Sequence, residues 1–270
     1  MPSPSMKIRM AKGKLYVVGI GPGYEEHMTP RAKQCIEESD VIVGYETYVA
    51  LVAHLIKGKE VHAYAMTQEV ERANQAIELA EKGRTVSLVS SGDAGIYGMA
   101  GLIYEVLAGK GWNKKDGIYV EIVPGVSALN SCAALVGSPL MTDFAVVSMS
   151  DLLVPWDIIV QRVDAAAKGD FVIVIYNPQS KKRVHQLRDT RDIFLKYRKP
   201  DTPVAIIKAA YRDAQNIVMT DLEHMLEYSD NLGMLSTIIV GNSSTFMYDG
   251  LMINPRGYQS KYTLVNEEKI

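Results

Sequence analysis

Five short stretches carry the small, polar and charged residues that could hold a ligand, and each lies just past an apolar run of strand type. The first is Gly19-Ile20-Gly21-Pro22-Gly23. Glycines at such a place let backbone come close to a ligand at the carboxyl edge of a parallel sheet. A dinucleotide fingerprint would need Gly-x-Gly-x-x-Gly/Ala. Here Tyr24 holds the sixth position, and Pro22 removes an N–H that a pyrophosphate would use. The acid near the second strand, Glu46, lies past Gly44 rather than at the strand end. A nicotinamide cofactor is therefore disfavoured, and the plainer alternative is a tight strand–helix turn with no ligand.

The second stretch is Ser90-Ser91-Gly92-Asp93-Ala94-Gly95-Ile96-Tyr97-Gly98. Small residues around one carboxylate suit a neutral or cationic ligand with hydroxyls, because Asp93 would repel a polyphosphate. No Gly-Lys pair followed by Ser or Thr is present, so a P-loop is absent. The structural alternative is a helix cap by Asp93 or Ser91. Val123-Pro124-Gly125-Val126-Ser127-Ala128 reads as a strand, a turn and a capped helix, which alone is mundane. In Ser150-Asp151-Leu152-Leu153-Val154-Pro155-Trp156, the tryptophan is either a wall for a planar ligand or a core anchor. Ile175-Tyr176-Asn177-Pro178 precedes Lys181, Lys182, Arg183, Arg188 and Arg191. Such a charge run is a solvated helix face or a receiver for a polycarboxylate.

Absences narrow the chemistry further. The sequence has no Gly-x-Ser-x-Gly elbow, no His-Glu-x-x-His and no Cys-x-x-Cys, and its five histidines are scattered. Two cysteines, Cys35 and Cys132, cannot build a disulfide framework or a thiolate metal site, so no metal is expected. Group transfer from a reactive cosubstrate needs positioning more than a strong base, and it fits loops without a triad.

The elements that must position these loops follow from hydrophobic pattern. Leu15–Ile20, Val41–Val43, Thr85–Val89 and Val120–Val123 read as strands, with helices over Thr29–Glu38, Thr47–Ile56, Glu69–Lys82 and through Leu107. Strands separated by helices predict a mostly parallel sheet covered on both faces. Gly109 to Gly117 is the best candidate linker. Beyond it, helices are predicted over Ser127–Val136, Trp156–Ala167 and Val184–Tyr197. Strands are predicted over Ala145–Met149, Phe171–Tyr176, Val204–Lys208, Ile217–Thr220 and Thr237–Val240, with hairpin-like spacing that implies a mixed sheet. The expected organisation is a disordered leader (1–13), an α/β domain (14–115), a second α/β domain (116–256) and a C-terminal tail (257–270).

With 29 basic and 31 acidic residues among 270, the net charge is −2, which argues against a generic nucleic-acid binder. No apolar run approaches the roughly 20 residues needed to span a bilayer. Lys7, Arg9 and Lys12 precede no apolar h-region, so the expected compartment is the cytoplasm.

Taken in this order, the five motifs resemble those of the tetrapyrrole methylase family, the S-adenosylmethionine-dependent enzymes of cobalamin and sirohaem synthesis. The resemblance runs from about Lys14 to Arg256. Ser91–Gly101, Ser150–Trp156 and Ile175–Pro178 resemble the branch that methylates carbon 17 of precorrin-3B or of cobalt-factor III, with ring contraction and lactone formation. The resemblance implies two α/β domains of the class III methyltransferase kind, with the cofactor in the cleft between them, in a homodimer. It sets S-adenosylmethionine against Pro22, Gly23, Gly92, Asp93, Ala94, Ile96, Tyr97, Ser127, Ala128, Tyr176, Asn177, Thr237 and Ile238. Asp93 is the expected polar contact on the cofactor side, and Ser150 or Asp151 would assist the reaction. Trp156 with Arg84, Arg162, Lys181, Arg183 and Lys208 are candidates to hold the macrocycle and its carboxylates. Another precorrin methyltransferase, diphthine synthase, or a non-catalytic binding protein of the same fold are the alternatives.

Overall fold

The computed structural model describes residues 12–180 and 185–264. The predicted leader therefore lies outside the described residues except for Lys12 and Gly13, and so does the end of the tail, 265–270. The chain divides into two compact units, with the division between Ala128 and Leu129.

The N-terminal unit alternates strands and helices: β1 (Lys14–Gly19), α1 (Pro30–Glu38), β2 (Val41–Tyr45), α2 (Glu46–Leu51), β3 (Glu60–Tyr64), α3 (Glu69–Glu81), β4 (Thr85–Ser90), α4 (Ala100–Gly109) and β5 (Tyr119–Val123). The sheet runs β3-β2-β4-β1-β5, and every pairing in it is parallel. Both faces are covered, which is why its strands are almost continuously apolar. Leu15 and Val17 of β1, with Val41, Val43, Val86 and Leu88, pack under α3 and α4. Tyr16 and Val18, with Ile42 and Val89, pack under α1 and α2. The period of two thus sorts one strand into two cores. Thr29 caps α1 by accepting the Ala32 N–H at 3.2 Å, ahead of Pro30 at the first helical position.

The domain boundary differs from the sequence expectation at residues 115/116. β5 completes the first sheet, with Tyr119 opposite Lys14 and Val123 opposite Val18. The glycine-bounded segment 109–117 is the connection from α4 to β5 rather than a linker. Trp112 Nε1 donates to Ile118 O at 3.0 Å, and Asn113 Oδ1 accepts the N–H groups of Lys115 and Asp116. The helix expected over Thr47–Ile56 is shorter, ending at Leu51. The strand β3, absent from the sequence reading, is a partly exposed edge whose side chains carry little apolar signal.

The C-terminal unit comprises α5 (Ala128–Val136, starting at the division), β6 (Gly137–Ser138), β7 (Phe144–Ser148), α6 (Trp156–Lys168), β8 (Val172–Tyr176), α7 (Gln186–Phe194), β9 (Pro203–Lys208), β10 (Asn216–Asp221), β11 (Ser236–Val240), β12 (Phe246–Tyr248) and β13 (Leu251–Ile253). Its main sheet runs β10-β9-β11-β8-β7, where β7 and β8 are parallel and the other pairs antiparallel, the mixed sheet expected from spacing. The predicted helix Val184–Tyr197 is confined to Gln186–Phe194, with Val184 outside the described residues. Ile173, Ile175, Val204, Ile206, Ile238 and Val240 meet Ile159 and Val163 of α6 and Leu187, Ile193 and Phe194 of α7 in the core. β12, β13 and β6 form a separate small sheet. Among the described residues no helix is long and apolar enough to cross a membrane.

Candidate functional site

In the N-terminal unit, the loops that follow β1, β4 and β5 meet at the carboxyl edge of the parallel sheet. They meet backbone to backbone. Ile20 N–H donates to Ser90 O at 2.9 Å and Gly21 N–H to Gly92 O at 3.0 Å. A Cβ on Gly19 would lie 2.7 Å from Gly92 O, and one on Gly125 would lie 2.6 Å from Gly19 O. The first and third glycine motifs are therefore required by the contact of one loop with the next. Gly92 differs: a Cβ there would meet nothing closer than 3.6 Å, but its φ of +62° lies in the left-handed region. Glycine at 92 answers to backbone conformation.

Asp93 sits among these loops in a role that sequence alone did not show. Its Oδ1 accepts the Gly95 N–H at 2.7 Å, and its Oδ2 accepts the Gly125 N–H at 3.0 Å. The carboxylate ties the β4 loop to the β5 loop, which takes the place of the structural alternative of a helix cap. Ala94 is fully buried in the core under α3 and α4, and Ser127 is 3% exposed. Pro22 is buried, Gly23 and Ala128 are half-buried, and Ile96 and Tyr97 are exposed, Tyr97 with φ of +52°.

In the C-terminal unit, a second group gathers at the carboxyl ends of β7 and β8. Tyr176 Oη accepts the Leu129 N–H at 2.8 Å, satisfying a donor in the first turn of α5. Asn177, with φ of +50°, donates from Nδ2 to Ser148 Oγ at 3.0 Å. The same hydroxyl accepts the Ser150 N–H at 3.2 Å, so it joins the loops after β7 and β8. Asp151 Oδ2 accepts from Gln186 Nε2 at 3.0 Å. Trp156 opens α6, packs partly against the core and meets His185 edge to face at 6.1 Å. Thr237 lies opposite Tyr176 in the sheet and bonds the Cys132 side chain. Burial pushes that thiol up to about 11, so it is protonated and unreactive at neutral pH. Ser148 and Gln186 were not singled out in the sequence; each carries a short polar signal that acquires meaning only from its partner.

Two expectations change, and one lies beyond what the structure describes. Arg84 precedes β4, at the amino edge of the first sheet, and pairs with Glu60 at 3.0 Å and Asp40 at 3.8 Å. It stands at the wrong end of the strands to join loops at the carboxyl edge. Ile238 is fully buried in the core, with β8 on one side and β9 on the other, so its side chain offers nothing to a ligand. Lys181 and Arg183 lie outside the described residues. Among the described residues no group of three or more His, Cys, Asp and Glu side chains comes together to hold a metal.

The N-terminal group presents the Asp93 carboxylate and the exposed Tyr97 ring, and the C-terminal group presents the Ser148 hydroxyl, the Asn177 amide and the half-buried Tyr176 ring. The Asp93 carboxylate in the β4 loop would repel a polyphosphate.

The chain matches the family model of the Tetrapyrrole (Corrin/Porphyrin) Methylases over residues 14–226. It is 54% identical over 258 residues to the cobalt-factor III methyltransferase of Priestia megaterium, covering 96% of this chain and 47% of that protein. The chain thus spans about half of that longer relative. It is 43% identical to the probable cobalt-factor III C(17)-methyltransferase of Salmonella typhimurium, covering 90% of this chain and 99% of that one. Among solved structures, the crystal structure of the methyltransferase CobJ superposes with a TM-score of 0.84 at 34% identity, over 90% of this chain and 100% of that one.

Proposed function

The chain belongs to the tetrapyrrole (corrin/porphyrin) methylases, and from that premise we propose that it is an S-adenosylmethionine-dependent C-methyltransferase of cobalamin biosynthesis. Its proposed reaction is methylation of carbon 17 of precorrin-3B or cobalt-factor III, with contraction of the ring. The observation that carries this reading is the 54% identity to a protein named cobalt-factor III methyltransferase, sustained over 96% of this chain.

The residues of each unit fit the cofactor. In the N-terminal unit the holders would be Pro22, Gly23, Gly92, the backbone of Asp93 and Ala94, Ile96, Tyr97, Ser127 and Ala128. In the C-terminal unit they would be Tyr176, Asn177 and Thr237. S-adenosylmethionine, when bound, supplies an electrophilic methyl on a sulfonium. The Asp93 carboxylate, fixed by two backbone N–H groups, puts negative charge in the loop, favouring a cation over its neutral product. Ile96 and Tyr97 offer apolar edges that would exclude water from a ligand beside them. Ser150 and Asp151 are the polar groups proposed to face the macrocycle, and Trp156 is the proposed wall. Arg162, Lys181, Arg183 and Lys208 remain the candidates for its carboxylates. A cytoplasmic homodimer is proposed as what the family resemblance implies, and light scattering on the purified protein checks the dimer.

Calorimetry with S-adenosylhomocysteine, NAD and ATP tests the cofactor, and binding of NAD alone would overturn the reading. Incubation with labelled S-adenosylmethionine and a panel of precorrins and cobalt-factors, read by mass and by carbon position, tests the substrate. Label at another ring carbon makes the protein a sister methyltransferase. Label on no tetrapyrrole leaves diphthine synthase or a binding protein.

A further inference from the structure

The loop from β7 to α6 is gripped by a side chain from α7. Gln186, the first residue of that helix, is only 4% exposed. Its Nε2 donates to Asp151 Oδ2 at 3.0 Å. This contact decides which way the amide faces, because a carboxylate only accepts and the NH2 end must turn toward it. Among the described residues, the carbonyl Oε1 is then left in the interior without a hydrogen-bond partner.

Arg198 of this unit also has a buried nitrogen without a partner among the described residues, its Nε, but its other two nitrogens donate to backbone carbonyls. Thr190, one turn further along α7, donates to Met149 Sδ, and Asn254 donates to Asn242 Oδ1 at 2.7 Å. A buried carbonyl with no donor weakens the folded state. Methionine would fill nearly the same volume beside Leu187 and the core without that penalty. Asp151 is exposed and would regain water if its amide partner were removed. A glutamine at 186 therefore costs stability, and the hydrogen bond that its amide makes among the described residues is to Asp151.

We propose that Gln186 is a positioning residue, which holds the Asp151 carboxylate in the orientation that the methyl-transfer reaction uses. This rests on the reading above that Asp151 faces the macrocycle. Gln186 itself touches no substrate in this assignment.

The test compares wild type, Gln186→Met, Asp151→Ala and the double variant in the full-length protein. Methyl transfer to cobalt-factor III or precorrin-3B is followed alongside thermal unfolding. Gln186→Met is expected to lower kcat about 10–100-fold, as a displaced polar group does. KM for S-adenosylmethionine should stay within about twofold, because the cofactor holders are untouched, and Tm should be equal to wild type or higher. In the Asp151→Ala background the same substitution should cost nothing more, because the effect runs through Asp151. A lowered Tm with equal loss of activity in both backgrounds makes Gln186 merely structural and overturns the proposal. Full kcat in Gln186→Met also overturns it. If Asp151→Ala keeps full kcat, the placement of Asp151 fails while the methyltransferase reading stands. A wild type that methylates no tetrapyrrole removes both.

Discussion

Asp93 and the glycines around it make different demands on the same few ångströms. Both Asp93 oxygens accept backbone N–H groups. Asn keeps one acceptor and turns an NH2 group toward the other donor. Asp93→Asn should therefore destabilise the protein by about 1–3 kcal/mol in urea unfolding. An unchanged midpoint would mean that the loops are not joined there. Gly125→Ala sets a methyl 2.6 Å from Gly19 O, against backbone that cannot rotate away. Gly92→Ala has room but must hold φ near +62°, at a cost of about 1–2 kcal/mol. Gly125→Ala is expected to be the more damaging of the two, at about 3 kcal/mol or beyond. Thermal unfolding of the pair checks the order, and the reverse ranking would show that the loops part easily.

Elements are joined by a few polar clasps. Arg31 of α1 grips Glu121 of β5 through two bonds, of 2.8 Å and 2.6 Å, and its guanidinium lies 5.5 Å from the Tyr16 ring centroid. The hydrogen bond from Arg31 holds the Glu121 carboxyl below the usual carboxylate range. A carboxylate with a lowered folded pKa contributes stability that is fully present above its unfolded value and is lost as pH falls through the folded one. Glu121→Gln should accordingly lower stability at neutral pH, where the clasp contributes in full, and flatten the acid side of the stability curve until the two proteins converge, as pH-dependent urea titration would show. An acid limb identical to wild type would mean that the clasp does not form in solution. In the C-terminal unit Arg198 is 7% exposed and donates to Gly241 O at 2.7 Å and to Phe171 O, joining the end of β11 to the start of β8. Arg198→Ala strips a buried and a part-buried carbonyl of their donors and leaves a cavity, for an expected loss of about 3 kcal/mol.

At the scale of the whole molecule, ligand and fold are linked by mass action. S-adenosylhomocysteine at about 100 times its Kd should add about 2.7 kcal/mol to the stability of the native state. NAD and ATP should leave Tm unmoved, because the sequence has neither a dinucleotide fingerprint nor a P-loop and the Asp93 carboxylate would repel their phosphates. A thermal shift with NAD alone would contradict the assignment of the loops. The chain spans 47% of the Priestia relative and 99% of the Salmonella one. The two α/β units therefore recur both as nearly the whole of a protein and as about half of one.

The sequence by itself determined the strands that are apolar on both faces, the capped start of α1 at Thr29-Pro30, and the five loop motifs that carry the family resemblance. These are local: a period of two, a cap or a glycine pair is complete within a few residues and needs no partner elsewhere. Tertiary structure decided the domain boundary, because β5 belongs to whichever sheet buries it, and its partner β1 lies at the far end of the unit. It decided that β3 forms, since an edge strand with exposed side chains is held by its neighbour more than by its own pattern. It also made Asp93 a tie between loops, removed Arg84 from the carboxyl edge, and set Gln186 against Asp151. Each of those outcomes depends on a partner distant in the chain, and burial summed over the whole unit selects that partner.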